Sequence, residues 1–239
     1  MKVVSFQFRG RFAHFLRAEA TANALSYPLP PRTVLLGAIG AIAGMPKDTV
    51  QVELADAKFA VGGPLPDRFW HKANMRKNLP APLSFEVKKS EKGSSKAEKN
   101  TRIPQEWLWK PDFKIWATFP DSIHDSIASR IQERRWHFTP CLGLSEMLAE
   151  IEWIAQSDAT QLSKDCHEIE SVIPMSAGEV DTKLVAERKL AVHRVRMPRT
   201  VTTDRVFSHA DYLAERDGNS IPVVTADAWQ IGNEKVLFL

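Results

Sequence analysis

The hydrophobic period of this chain changes once near its start, from two residues to the helical repeat, and Pro28, Pro30 and Pro31 set where the change occurs. Val4, Phe6 and Phe8 lie on one side of the opening segment and Ser5 and Gln7 on the other, the alternation of a half-buried strand, which we expect to face an edge. Gly10 ends it. The prolines then hold the backbone extended, and Thr33 is expected to cap a helix from Val34 to Met45, its hydroxyl accepting from an orphan N–H one turn ahead. Gly37, Gly40 and Gly44 each cost that helix about 1 kcal/mol relative to alanine. A helix keeps such residues where something must approach its backbone closely.

Strand and helix patterns continue beyond this unit. Val52, Leu54, Phe59 and Val61 predict a second strand over Val50 to Val61, closed by Gly62-Gly63-Pro64, and Phe113, Ile115, Ala117 and Phe119 predict a third. Pro120-Asp121-Ser122 opens a helix through Arg134, with Ile123, Ile127 and Ile131 in one stripe. Met147 to Ile154 predicts a fourth strand. The order is that of a ferredoxin-like or RRM-type α+β domain over residues 1–154. Residues 155–239 hold strand-like runs at Lys189 to Val195, Ile221 to Thr225 and Val236 to Leu239, and predict a β-rich extension. With 239 residues, 44% of them hydrophobic, the chain can bury such a core.

An insertion over residues 64–110 separates the second and third strands. The net charge of +3 hides an asymmetry there, because Arg68 to Arg102 holds ten Lys or Arg against three Glu, a local +7. Lys88 to Lys99 has no apolar residue larger than alanine and cannot bury enough surface to offset the entropy of ordering without a ligand. Phe69, Trp70, Phe85, Trp107 and Trp109 flank it and predict the two walls of a hairpin arm. A concentrated basic patch is the footprint of phosphate binding, and a solvated loop has the same composition.

Three N-terminal runs carry a resemblance: Gly10-Arg11-Phe12-Ala13-His14-Phe15, Ser26-Tyr27-Pro28-Leu29-Pro30-Pro31-Arg32-Thr33, and Gly37-Ala38-Ile39-Gly40-Ala41-Ile42. Thr139-Pro140-Cys141-Leu142-Gly143-Leu144-Ser145-Glu146 follows later, with Cys141 where relatives usually carry an aromatic. In kind and order these runs resemble the CRISPR-associated protein family five, a subunit of type I Cascade complexes, and the first is most similar to the type I-B branch. The resemblance implies a RAMP-type ferredoxin-like fold whose inserted basic arm is a thumb. It also implies a non-catalytic subunit that grips the 5′ handle of CRISPR RNA, caps the backbone filament and contacts the large subunit. Such a subunit meets target DNA only through the complex, uses no cofactor, and serves antiviral defence or a transposon-borne system.

Single-stranded RNA is held by planar side chains on which bases stack and by cations that meet phosphates. His14, Arg17, Tyr27 and Arg32 interleave the two in the N-terminal patch, and Arg68, His71, Lys72, Arg76, Lys77, Lys88 and Lys89 place basic groups along the arm. Gly143 precedes the fourth strand, where a glycine lets backbone N–H groups come close to a phosphate, and Ser145 adds a donor. Each has a plainer reading as core aromatic, solvated cation or ordinary turn. RNA cleavage is the second functional reading, since a general base, a cation and a proton donor are available among His14, Tyr27, His71, Lys72 and Lys77. The type I-C branch of the family processes precursor CRISPR RNA, whereas the type I-B form implies a separate endoribonuclease.

His137, Cys141, Cys166 and His167 lack the paired spacing of a zinc site, and no metal is expected. Two cysteines without paired spacing suit a reducing cytoplasm. No secretory signal opens the sequence, and the longest apolar helix, Val34 to Ala43, falls far short of the roughly 20 residues that cross a bilayer, so a soluble cytoplasmic protein is expected. Phosphate-binding Walker and dinucleotide-binding glycine motifs are missing from the sequence.

Overall fold

A computed structural model describes residues 1–20, 23–76, 100–202 and 204–239. Lys77, Phe85, Lys88 and Lys89, with the rest of the arm's lysine-rich centre, lie outside the described residues.

The fold is mixed α and β, with strands predominating. Strand β1 (Lys2–Arg9) leads through three short strands, β2 (Phe12–Ala13), β3 (Phe15–Leu16) and β4 (Ser26–Tyr27), into helix α1 (Arg32–Ala43). A single turn, α2 (Val50–Glu53), precedes β5 (Lys58–Gly62); the hairpin strands β6 (Asp67–Arg76) and β7 (Asn100–Trp109) follow, then β8 (Asp112–Thr118), helix α3 (Asp121–Gln132) and β9 (Glu150–Gln161). The remainder comprises β10 (Asp165–Ile169), β11 (Ile173–Pro174), β12 (Glu179–Val180), α4 (Thr182–Glu187), β13 (Val192–Val201), β14 (Phe207–Glu215), β15 (Ile221–Thr225), β16 (Trp229–Ile231) and β17 (Glu234–Val236).

The main sheet has the order β17-β16-β9-β1-β8-β5, so β1 lies in its interior, antiparallel to both β8 and β9, and not at an edge. Its burial explains this position. Val4, Phe6 and Phe8 pack with Leu36 and Ile39 of α1 and Ile127 and Ile131 of α3, while Val3 packs on the opposite face with Trp116, Ile231 and Val236. On that second face Val3 and Ser5 are buried while Gln7 and Arg9 are part-exposed. Ile231 and Val236 of the last strands join Val3 there, and β16 pairs with β9 to extend the sheet.

Three local expectations are corrected. The run at Val50 is not strand: Val50 and Leu54, four residues apart, are buried while Val52 is exposed, and the Glu53 N–H donates to the Thr49 carbonyl, as in a helical turn. Thr33 does not cap α1. Pro31 occupies the N-cap in extended conformation, and its carbonyl accepts from the N–H groups of Val34 and Leu35. The fourth strand starts at Glu150 because Leu142 to Met147 closes on itself, with the Leu142 N–H donating to the Met147 carbonyl and the Met147 N–H to Leu144.

Candidate nucleic-acid interface

The two sequence patches that stand far apart in the chain meet at His14. Its backbone N–H donates to the Leu142 carbonyl at 3.0 Å, and its buried ring places Nδ1 2.8 Å from the Glu106 carbonyl. Gly143 has φ +101, and a Cβ there would overlap the His14 carbonyl oxygen and stand 2.8 Å from its carbon. Glycine is therefore demanded by the neighbouring protein backbone, and a phosphate is not needed to account for it. Ser145 is exposed beside it and donates to Glu146.

The second motif is fastened by polar contacts. The buried Ser26 hydroxyl accepts from the Phe15 N–H, and its own N–H donates to Glu106 Oε2 at 2.9 Å. Arg17 Nε donates to the Ser26 carbonyl, and the guanidinium lies 5.6 Å from the Tyr27 ring centroid. Tyr27 is 1% exposed; its hydroxyl donates to Glu19 Oε2 at 3.0 Å and lies 3.3 Å from His209 Nε2. Burial, followed by the bond to Glu19, pushes the Tyr27 hydroxyl up to about 12. Burial raises the Glu19 carboxyl, but its own N–H, the Tyr27 hydroxyl and the Arg17 charge outweigh that and hold it below the ordinary value. Arg32 turns back to donate to the carbonyls of Ala55 and Ala57, at 2.8 and 2.9 Å, and so ties α1 to the turn before β5. Burial, then the charge of Arg199, lowers its pKa.

The arm begins as an antiparallel hairpin with Phe69 opposite Trp107 and Asp67 opposite Trp109. Phe12 sits among Phe69, Trp107 and Trp109 with ring centroids 5.3 to 5.6 Å away, which clamps the N-terminal motif to the arm. His71 stacks on Trp107 at 4.1 Å. Lys72 is exposed, and Arg68 reaches Glu106 at 3.4 Å. Arg76 ends β6.

These segments border a cleft of about 390 Å³ that the sequence reading missed in part. Arg17 and Glu19 come from the N-terminal motif, Asp67 and Arg68 from the base of the arm, and His193, Arg194 and Arg196 from β13, with Arg216 beyond β14. Five guanidiniums and two carboxylates line it, while Asp211 and Asp217 hold Arg194 and Arg216 through paired bonds. The signal for the missed residues was the basic spacing His193, Arg194, Arg196, Arg199 inside a strand-like run. A strand that alternates charged with apolar residues presents the charged ones on a single face, and Val195 and Met197 are indeed buried while Arg194 and Arg196 are exposed.

A second, apolar cavity of about 830 Å³ lies between α1 and the β13–β14 hairpin, bordered by Gly37, Phe138, Val201 and Phe207. The two helix glycines answer different needs. A Cβ on Gly40 would stand 2.5 Å from Val50 Cγ2, so α2 requires it, whereas one on Gly37 would meet nothing within 4 Å. Among the described residues no group of three or more metal-ligating side chains converges, and no helix is long and apolar enough to cross a membrane.

The profile of a family described as CRISPR-associated protein (Cas_Cas5) matches residues 3–216. Among solved structures, a chain of a CRISPR RNA-guided surveillance complex superposes with a TM-score of 0.57 at 15% identity, covering 92% of this chain and 91% of that one. A CRISPR protein from Archaeoglobus fulgidus gives the same TM-score and identity, with 99% and 98% covered. No curated protein matches the sequence. At this identity the structural likeness speaks for the fold.

Proposed function

Because the chain belongs to the CRISPR-associated Cas5 family, we propose that it is a non-catalytic subunit of a type I Cascade effector complex, of the type I-B form, that grips the 5′ handle of CRISPR RNA. We read the order β1-α1-β5-β8-α3-β9, with its four strands arranged β9-β1-β8-β5, as a ferredoxin-like domain over residues 1–154. On this reading β6 and β7 are the walls of a thumb at 64–110, and residues 155–239 are the β-rich extension that completes the sheet and the cleft. The subunit caps the backbone filament and meets the large subunit, and target sequence is read by guide pairing elsewhere in the complex.

The observation that carries this reading is the basic cleft, where the N-terminal motif, the base of the arm, β13 and the residue after β14 bring five arginines together. Phosphates bind such an arrangement without sequence information, which suits a subunit that positions a constant RNA segment. Arg17, Arg68, Lys72, Arg194 and Arg196 are the contacts we assign to RNA. His14, Tyr27, Arg32 and Gly143 hold the frame that carries them. The cleavage reading loses support from the same geometry, since His14 and Tyr27 are 2% and 1% exposed, with His14 Nδ1 held at the Glu106 carbonyl and the Tyr27 hydroxyl at Glu19, so neither side chain stands open to a 2′-hydroxyl. The test is affinity purification of the tagged chain from cells that hold its complete CRISPR locus. The expected result is one RNA species with a common 5′ end, retained with the other subunits and lost in Arg196→Glu, while the lone variant melts as the parent does. Retention of that RNA by the variant, or specific cutting of precursor RNA by the purified chain, would overturn the assignment.

A further inference from the structure

The aromatic residues of the arm do not all belong to its hydrophobic clamp. Along β6 the side chains alternate, with Phe69 and His71 half-buried against Phe12 and Trp107, while Arg68, Trp70, Lys72 and Asn74 are exposed on the opposite face. Trp70 is 55% exposed, and among the described residues it makes no ring–ring or cation–ring contact. Across the hairpin it faces Glu106, with Leu108 and Pro104 on either side. Leu108 is fully buried, and the Glu106 carboxylate is buried between the Ser26 N–H and Arg68. The charges beside the indole on its own strand are therefore both positive: Arg68 and Lys72, each two residues away, or about 7 Å along the strand.

We propose that Trp70 is a stacking platform for one nucleobase of bound single-stranded RNA, with Arg68 and Lys72 meeting the phosphates on its two sides. The proposal rests on the RNA-binding function argued above and adds a contact that the cleft alone does not provide. Arg68 borders the cleft as well as the Trp70 face, so the indole stands next to the cleft along the same strand. A flat apolar ring with a cation on either side matches the alternation of base and phosphate, and a base of any identity can stack on it.

The test is fluorescence anisotropy of the full chain with labelled oligoadenylate and with the same ribose-phosphate backbone lacking bases. Trp70→Ala is expected to weaken oligoadenylate binding about five- to hundredfold, the range of single stacking contacts. The slope of log affinity against log salt should not change, because no phosphate contact is lost. Trp70→Phe should keep most of the affinity, and the abasic backbone should bind parent and Trp70→Ala alike. Lys72→Ala should instead lower the salt slope by about 0.7. If the parent binds oligoadenylate and Trp70→Ala binds it equally well, the stacking assignment is wrong while the RNA-binding reading stands. Stacking is equally refuted if Trp70→Ala loses only a protein subunit from the assembled complex, since the indole would then be a protein contact. If the parent binds no RNA, alone or in the complex, both fall.

Discussion

Gly143→Ala separates two reasons for a glycine before β9, the approach of a phosphate and the approach of the chain's own backbone. At φ +101 an alanine is strained by about 1–3 kcal/mol. Its Cβ would also overlap the His14 carbonyl, so the 142–144 turn must move and the hydrogen bond from the His14 N–H to Leu142 is lost, for roughly 1 kcal/mol more. The total is about 2–4 kcal/mol, which for a chain of this size lowers the melting temperature by roughly 5–15 °C. Thermal unfolding followed by circular dichroism on the RNA-free chain measures it directly. A glycine kept only for a phosphate predicts no more than the φ strain in the melt, together with weakened RNA binding. A Gly143→Ala melting temperature within about 1 °C of the parent would refute the packing argument.

Two further perturbations test neighbouring parts of the structure. Gly37→Leu enters open space and gains up to about 1 kcal/mol of helix propensity, so the lone chain should melt no lower, while the yield of assembled complex falls; an equal yield would show that no partner meets this face of α1. Tyr27 ionises near 12 in the fold against about 10 when unfolded, so its contribution to stability is complete below pH 10 and drains away as pH rises toward 12. Tyr27→Phe should cost about 1 kcal/mol at neutral pH and make the alkaline fall in melting temperature shallower, and matching slopes in the two proteins would show that the hydroxyl bond to Glu19 does not carry the effect.

Elements whose pattern is set by their own residues were legible in the sequence. The β1 strand with Val4, Phe6 and Phe8 in the core, the Ile127 and Ile131 stripe of α3 and, of the hairpin aromatics, Phe69, Trp107 and Trp109 appear where they were expected. The failures are places where a short window supports two periods or where a partner decides. Val50, Val52 and Leu54 fit a strand by alternation and a helix by the i, i+4 pair, and the Thr49 and Pro46 carbonyls settle the matter in favour of a turn. No window around β1 shows that β16 and β17, more than 200 residues later, will extend its sheet and pack Ile231 and Val236 with Val3.

The candidate site was half legible for the same reason. Arg17 and Arg68 could be picked out because an aromatic or a charge run stands beside them, but a cleft is a property of the surfaces that border it, and its third wall comes from β13. That wall is positioned by pairing with β14, and β14 is anchored in turn by Tyr212 and Leu213 opposite β11. Tyr27 makes the link concrete, since its hydroxyl reaches Glu19 of the motif and His209 of β14 within the same network. A change at His209 is therefore expected to reach the cleft through this frame. The Arg17 and Arg196 walls are set by different segments of the chain, and under the proposed function their spacing decides the fit to one RNA segment.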